Sequence, residues 1–121
     1  MDSGSRCEKE RTRLPDRRPS VRFSTDWQGH EFAVTVGLDP DTGAPLEVFA
    51  NAKRGAMQST IADAAVLISL ALQRGATIPD LRRSLLLEMT FDGSEVPASP
   101  IGAILEAVEV GLAKLQAGED A

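Results

Sequence analysis

The residues best suited to chemistry are Lys53, Arg54 and Gly55, which stand immediately before a stretch with helical periodicity. Two cations, a glycine turn and the unpaired N–H groups of a helix N-terminus could together hold a phosphate or a carboxylate. The spacing differs from that of a P-loop, in which Gly-x-x-x-x-Gly precedes Lys and Ser or Thr. The tripeptide therefore predicts an anion- or nucleotide-binding site, with a solvent-exposed turn as the alternative.

Three further residues have side chains with functional potential. Glu47 alternates with apolar neighbours, so its carboxylate could pair with Lys53 or Arg54, or it could be an ordinary surface residue. Trp27 stands beside a turn and could be a stacking platform or a lid on the edge of the core. His30 has no serine, cysteine or carboxylate motif around it that would specify a catalytic triad, and we expect an ordinary histidine at a strand end.

Cys7 is the single cysteine of the chain, and His30 is the single histidine. One thiol forms no intramolecular disulfide, and a catalytic zinc usually takes three protein ligands from His, Cys and carboxylates. We therefore predict no catalytic residue, no metal site and no cofactor in this chain, and leave open whether it has any enzymatic activity.

Positive charge is concentrated at the start of the chain, although the net charge is −5. Residues 1–22 contain seven Lys or Arg against four acids, whereas the remainder contains six against fourteen. Such a segment could contact nucleic acid, nucleotide phosphates or an acidic protein surface. Arg17, Arg18 and Arg22 are the candidate contacts, and a solvated tail is the alternative.

Composition divides the 121 residues into three parts. Residues 1–19 are polar and hold few apolar side chains, which is typical of a flexible leader, residues 20–117 form one domain, and residues 118–121 form a short acidic tail. The apolar run 61–72 is too short to cross a bilayer, and the first ten residues lack the apolar core of a signal peptide. We expect a cytoplasmic protein without a membrane partner.

Residues 20–52 alternate between apolar and polar side chains, which predicts three strands. The alternating apolar positions are Val21 and Phe23 in the first strand, Phe32, Val34, Val36 and Leu38 in the second, and Leu46, Val48 and Ala50 in the third. The two connections are short and rich in turn formers, so neighbouring strands should be antiparallel.

After Asn51 the apolar period lengthens and predicts three helices. The first follows a capping box at Thr60 and Asp63, ends at Gly75, and is apolar on so many sides that we expect it to be enclosed. The second starts at Thr77 and runs to about Leu86.

Residues 89–97 are predicted to form a loop. Ser99 and Pro100 open the third helix, which should end near Gly118. Three strands followed by three helices indicate an α+β fold in which the helices pack on one face of a three-stranded antiparallel sheet.

In their order and spacing these segments resemble the TSCPD domain, which occurs near the C-terminus of adenosylcobalamin-dependent (class II) ribonucleotide reductases and also as short stand-alone proteins. The resemblance runs from about Leu14 to Val108. The matching segments are residues 14–18, 32–37, 43–49, 53–55 and 68–75. The motif that names the family centres on Cys-Pro, but this chain has Ser99-Pro100 at that place. The cysteine is absent, whereas the helix cap and first turn are retained.

The resemblance implies a link to ribonucleotide reduction and deoxynucleotide supply. It does not imply that this chain performs the reaction, which needs a radical-generating cofactor, a thiyl cysteine and a reducing cysteine pair. Adenosylcobalamin would belong only to the larger reductases that carry the domain. We therefore expect an accessory or regulatory module that binds a reductase subunit, a nucleotide or nucleic acid. The alternatives are an independent interaction module, which could be homodimeric, and a small stand-alone enzyme.

Overall fold

The computed structural model describes residues 18–52 and 55–118. Most of the predicted leader, most of the acidic tail, and both Lys53 and Arg54 lie outside these described residues. The elements in chain order are β1 (Ser20–Trp27), β2 (His30–Leu38), β3 (Pro45–Ala52), α1 (Gln58–Gln73), α2 (Ile78–Arg83), β4 (Leu87–Met89), β5 (Glu95–Pro97) and α3 (Pro100–Ala117).

The first three strands form one sheet in the order β1-β2-β3, and both pairs are antiparallel, as predicted. Trp27 pairs with His30 around a two-residue turn. Gln28 and Gly29 in that turn both have positive φ, at 52° and 83°. Positive φ at both central residues is typical of the tight hairpin turns that match the twist of the strands.

One face of this sheet is buried, and the helices cover it. Alternate residues of β2 and β3 point towards them, because successive side chains of a strand face opposite ways. Helix α1 packs on β3, α3 packs on β1, and α2 packs against α3. The largest fully buried side chains are Phe32, Ile61, Ile104, Leu105, Val34, Val36, Val48 and Val108. The predicted α+β arrangement is confirmed.

Helix α1 begins earlier than predicted. Its N-cap is Met57, in the right-handed helical region, and no side chain caps it. The predicted capping box is wrong because Thr60 and Asp63 both lie inside the helix. The helix ends at Gln73, and Gly75 has a positive φ of 106°. A glycine with positive φ was the predicted signal for the end of this helix.

The prediction that α1 is enclosed on several sides is also wrong. Val66 and Leu67 are exposed, and Leu67 retains 67% of its accessible surface. The three-stranded sheet is covered by α1 beside β3 and by α3 beside β1, so no described element lies over the outer side of α1.

The other two helices have the predicted caps. Thr77 accepts a hydrogen bond from the Asp80 N–H at 3.2 Å, and Ser99 accepts one from the Gly102 N–H at 3.1 Å. Helix α3 ends at Gly118, which has a left-handed φ of 75°. Helix α2 is shorter than predicted and ends at Arg83.

Residues 89–97 were predicted to form a loop, and this prediction is wrong. Strands β4 and β5 pair antiparallel, with Met89 opposite Glu95 and Leu87 opposite Pro97. The two strands are only three residues long and mostly exposed, so they lack the buried face that makes a strand conspicuous in a sequence. No helix in the described part of the chain is both long enough and apolar enough to cross a membrane.

Candidate interaction surface

The β4–β5 hairpin and the residue before it present a group of apolar side chains to solvent. Phe91 at the tip is fully exposed, and Leu86 and Met89 retain 79% and 71% of their accessible surface. The hairpin surface, as we name this group, consists of Leu86, Leu87, Met89, Phe91 and Val96. Leu87 and Met89 share one face of the hairpin, and Val96, opposite Glu88, lies on the other. Single exposed apolar residues are ordinary at a protein surface, but several on one short hairpin favour a site that contacts another macromolecule.

A polar network holds the hairpin tip in one conformation. The Asp92 carboxylate accepts hydrogen bonds from the Thr90 hydroxyl, from the Ser94 hydroxyl at 2.7 Å and from the Ser94 N–H at 3.0 Å. The Thr90 N–H also donates to the Ser94 carbonyl at 2.8 Å, and Gly93 takes a positive φ of 88°. Phe91 is therefore displayed by an ordered turn.

The bonds to Asp92 favour its charged form. Donation by the Thr90 hydroxyl, then by the Ser94 hydroxyl and N–H, lowers the pKa of Asp92 from 3.8 to about 2. Because the pKa is lower in the folded chain, the charged carboxylate supports the tip fully above pH 3.8, and this support is lost as the pH falls towards 2.

We expect an NMR titration of the Asp92 carboxyl carbon to have its midpoint near 2, and Asp92→Asn to increase amide exchange at Ser94 at neutral pH. A midpoint near 3.8 would show that the tip network does not form in solution.

The base of the hairpin is anchored to the main sheet and to α3. The indole N–H of Trp27 donates to the Pro97 carbonyl at 3.3 Å. The Ala98 N–H donates to the Leu86 carbonyl at 3.1 Å and closes the base of the hairpin itself. A Cβ on Gly102 would lie 3.0 Å from the Pro97 Cβ, so α3 passes close beneath β5. Trp27 thus lies at the edge of the core and connects the sheet to the hairpin.

A concave surface of about 270 Å³ adjoins the hairpin base, where Leu86, Leu87 and Pro97 meet α2 and α3. Its charged rim is already paired. Arg82 donates to Glu109 at 2.8 Å and to Glu106 at 3.2 Å. The concavity therefore combines an apolar floor with compensated charges, as in the core and rim of a protein interface.

The predicted anion site is only partly visible. Lys53 and Arg54 lie outside the described residues, and Gly55 is exposed with φ of 105°. The positive φ agrees with a turn at Gly55 before α1. Anion binding at these residues stays a prediction.

The arginines predicted as nucleic-acid or partner contacts lie in different places. Arg17 is outside the described residues, and Arg22 is exposed on the uncovered face of the sheet. Arg18 forms an ion pair with Glu47, its Nη2 and Nε lying 2.6 and 3.0 Å from the Glu47 Oε1. Gly37 lies beneath this pair, because a Cβ there would come within 2.9 Å of the same oxygen.

His30 occupies the first position of β2 and is exposed, which confirms the predicted strand-end histidine. Within residues 18–52 and 55–118, no three His, Cys, Asp or Glu side chains are grouped so that they could hold a metal ion.

The sequence interpretation missed the hairpin surface. A signal was present, because Leu87, Met89 and Phe91 alternate with polar residues immediately before Asp92 and Gly93. Alternation that leads into Asp-Gly is a strong short-range indication of a hairpin. What the pattern could not reveal is that these apolar side chains face solvent.

Comparison with known protein families assigns the chain to one of them. The family model of the TSCPD domain matches residues 4–110, which is most of the chain. The chain belongs to the TSCPD domain family. Searches of curated proteins and of solved structures found no significant match.

The TSCPD assignment confirms the resemblance seen in the sequence. The resemblance implies that the family motif falls at Ser99 and Pro100. Ser99 is the N-cap of α3, and Pro100 occupies the first turn. In this TSCPD domain the Ser99 hydroxyl therefore has a structural partner, the Gly102 N–H.

Proposed function

We propose that this TSCPD domain is an accessory module of ribonucleotide reduction that docks on a reductase subunit through its hairpin surface. The family's association with ribonucleotide reductases supports the choice of partner. The observation that carries the proposal is the solvent exposure of Met89 and Phe91 on an ordered, anchored hairpin.

The energetics favour a protein partner. Burial of one large apolar side chain contributes about 1.5–3 kcal/mol, and aromatic residues and methionine are enriched in the centres of interfaces. Phe91 and Met89 are therefore the expected anchors. Because the Asp92 network already orders the tip, binding would lose less conformational entropy than it would with a flexible loop.

Charge around the hairpin favours a protein over a nucleic acid. Glu88, Asp92 and Glu95 give the hairpin a negative charge that would repel phosphate groups. Nearby cations are paired within the chain, Arg82 with two glutamates and Arg83 with Asp80. The surface best suited to this hairpin is an apolar pocket bordered by lysine or arginine.

Biolayer interferometry tests the proposal by measuring binding of this chain to the purified catalytic subunit of ribonucleotide reductase from the same organism. We expect the parent chain to bind and the double variant Met89→Ser, Phe91→Ser to bind at least about tenfold more weakly, because it loses two buried anchors. The double variant Val66→Ser, Leu67→Ser removes two exposed apolar residues from α1 and is the matched control, for which we expect unchanged binding.

The same experiment separates the alternatives. Equal binding by the parent and the hairpin variant would refute the docking surface, and absence of binding by the parent would refute the reductase partner. A thermal shift with nucleotides that disappears in Lys53→Ala, Arg54→Ala would instead support nucleotide binding at the predicted anion site.

A further inference from the structure

The two edges of the three-stranded sheet differ in how their backbone groups are satisfied. On β3, the Ser69 hydroxyl accepts from the Val48 N–H at 2.8 Å, and the Gln73 side-chain amide donates to the Leu46 carbonyl at 2.9 Å. Side chains of α1 thus take the place of a further strand. At Leu46 and Val48 these bonds block the addition of a strand from another chain.

Within residues 18–52 and 55–118, no further strand pairs with the opposite edge, on β1. The Leu38 N–H donates to the Pro19 carbonyl at 2.9 Å, so odd-numbered residues of β1 direct their backbone groups towards β2. The outward backbone groups belong to Ser20, Arg22, Ser24 and Asp26. No hydrogen bond from another described residue reaches them, and unpaired edge groups of this kind are a template for strand addition.

The charged side chains along the β1 edge are complementary to those of a second, antiparallel copy of the same edge. Arg22 and Asp26 are both exposed on the uncovered face of the sheet, about 13 Å apart along the strand, which is too far for them to pair within one chain. If two β1 strands pair antiparallel with Ser24 opposite Ser24, Arg22 of each copy faces Asp26 of the other. Symmetry forms this ion pair twice.

Other registers lose this match. Centring the pair on Arg22 would oppose two arginines, and centring it on Asp26 would oppose two aspartates, both of which are unfavourable. With Ser24 at the centre, the other face of the strand brings half-buried Val21 opposite Trp27 and Phe23 opposite Thr25.

The second copy would also cover apolar surface beside the strand. A groove of about 550 Å³ lies between β1 and α3, with Val21, Val110 and Leu115 among its lining residues. Val110 faces solvent in the single chain. In the paired arrangement the two α3 helices would lie on the same side of the extended sheet and shield these groups from water.

From these observations we infer that the chain forms a two-fold symmetric homodimer in which the β1 strands pair edge to edge, centred on Ser24, and two Arg22–Asp26 ion pairs set the register. This assignment is independent of docking on a reductase, because the hairpin surface and the β1 edge share no residue.

Sedimentation equilibrium of the full chain tests the dimer, since one chain has a mass of 12.9 kDa. We expect a species of twice that mass, and about tenfold or more weaker association for Arg22→Asp and for Asp26→Arg, because each creates two like-charge contacts. The double exchange Arg22→Asp, Asp26→Arg should restore association to within about threefold of the parent. Glu88→Arg, a reversal on the exposed hairpin, is the control and should leave association unchanged.

Two further variants keep the test decisive. Ser24→Pro removes an outward N–H without taking a bond from the β1–β2 ladder, and should weaken association without any change of charge. Leu67→Asp should have no effect, whereas its dissociation of the dimer would place the interface on α1 and overturn the proposal. A parent chain that stays monomeric up to about millimolar concentration would also overturn the proposal. So would a double-exchange variant that associates no more tightly than the single variants.

Discussion

Replacing Ile68 with aspartate is expected to unfold the domain or leave it barely stable. Ile68 lies on the face of α1 that packs against β3 and belongs to the buried core. An unpaired carboxylate there would cost about 4 kcal/mol or more, against a total stability of about 5–15 kcal/mol for a domain of ordinary stability. Urea denaturation followed by circular dichroism would measure the loss.

The adjacent residue supplies a matched control. Leu67→Asp makes the same chemical change one position earlier in the same helix, but Leu67 is exposed, so we expect a change within about 1 kcal/mol. Equal destabilisation by the two variants would show that α1 is rotated relative to the sheet, or that its outer side is covered in solution.

The second large effect is expected at Gly111, where α3 crosses β1. A Cβ at this position would lie 2.1 Å from the Phe23 Cε1 and 2.6 Å from its Cδ1, well inside contact distance. In an exposed helix Gly→Ala stabilises by about 1 kcal/mol. Here we expect Gly111→Ala to destabilise by about 2–3 kcal/mol, because the Phe23 ring must leave its site or α3 must move away.

A double-mutant cycle identifies the cause. In a Phe23→Leu background the side chain at position 23 is smaller, and the cost of Gly111→Ala should fall by at least about 1 kcal/mol. Thermal melts of the four proteins would give the coupling, with a Tm change of about 4–8 °C per kcal/mol for a domain of this size. Gly111→Ala that raises Tm would contradict the close crossing.

Much of the fold could be predicted because its signals are local. Alternation identified β1, β2 and β3, and the short connections made them antiparallel. Thr77, Ser99 and Gly118 specified helix ends, since each satisfies backbone groups within a few residues of itself. At the start of α1 the same reasoning misplaced the cap, because Thr60 and Asp63 carry a capping pattern although the helix had already begun.

The candidate sites were less predictable because they depend on what remains uncovered. Phe91 and Met89 are residue types that usually lie in a core. They form a candidate interaction surface only because they are exposed on the hairpin. Arg22 and Asp26 look like ordinary strand residues. Their complementarity becomes apparent when β1 is known to be an edge and its register with β2 is known.

Local signals in the sequence were enough to predict the class of the fold and the order of its three main strands and three helices, because periodicity, turn residues and caps act over short distances along the chain. The tertiary structure decided which edge of the sheet is closed, since Ser69 and Gln73 meet β3 only after α1 packs on the sheet. It also decided that Gly111 must be small and that Leu67 remains exposed. Burial depends on contacts between distant segments, and α1 is apolar on so many sides that its sequence alone did not show that Leu67 would face water.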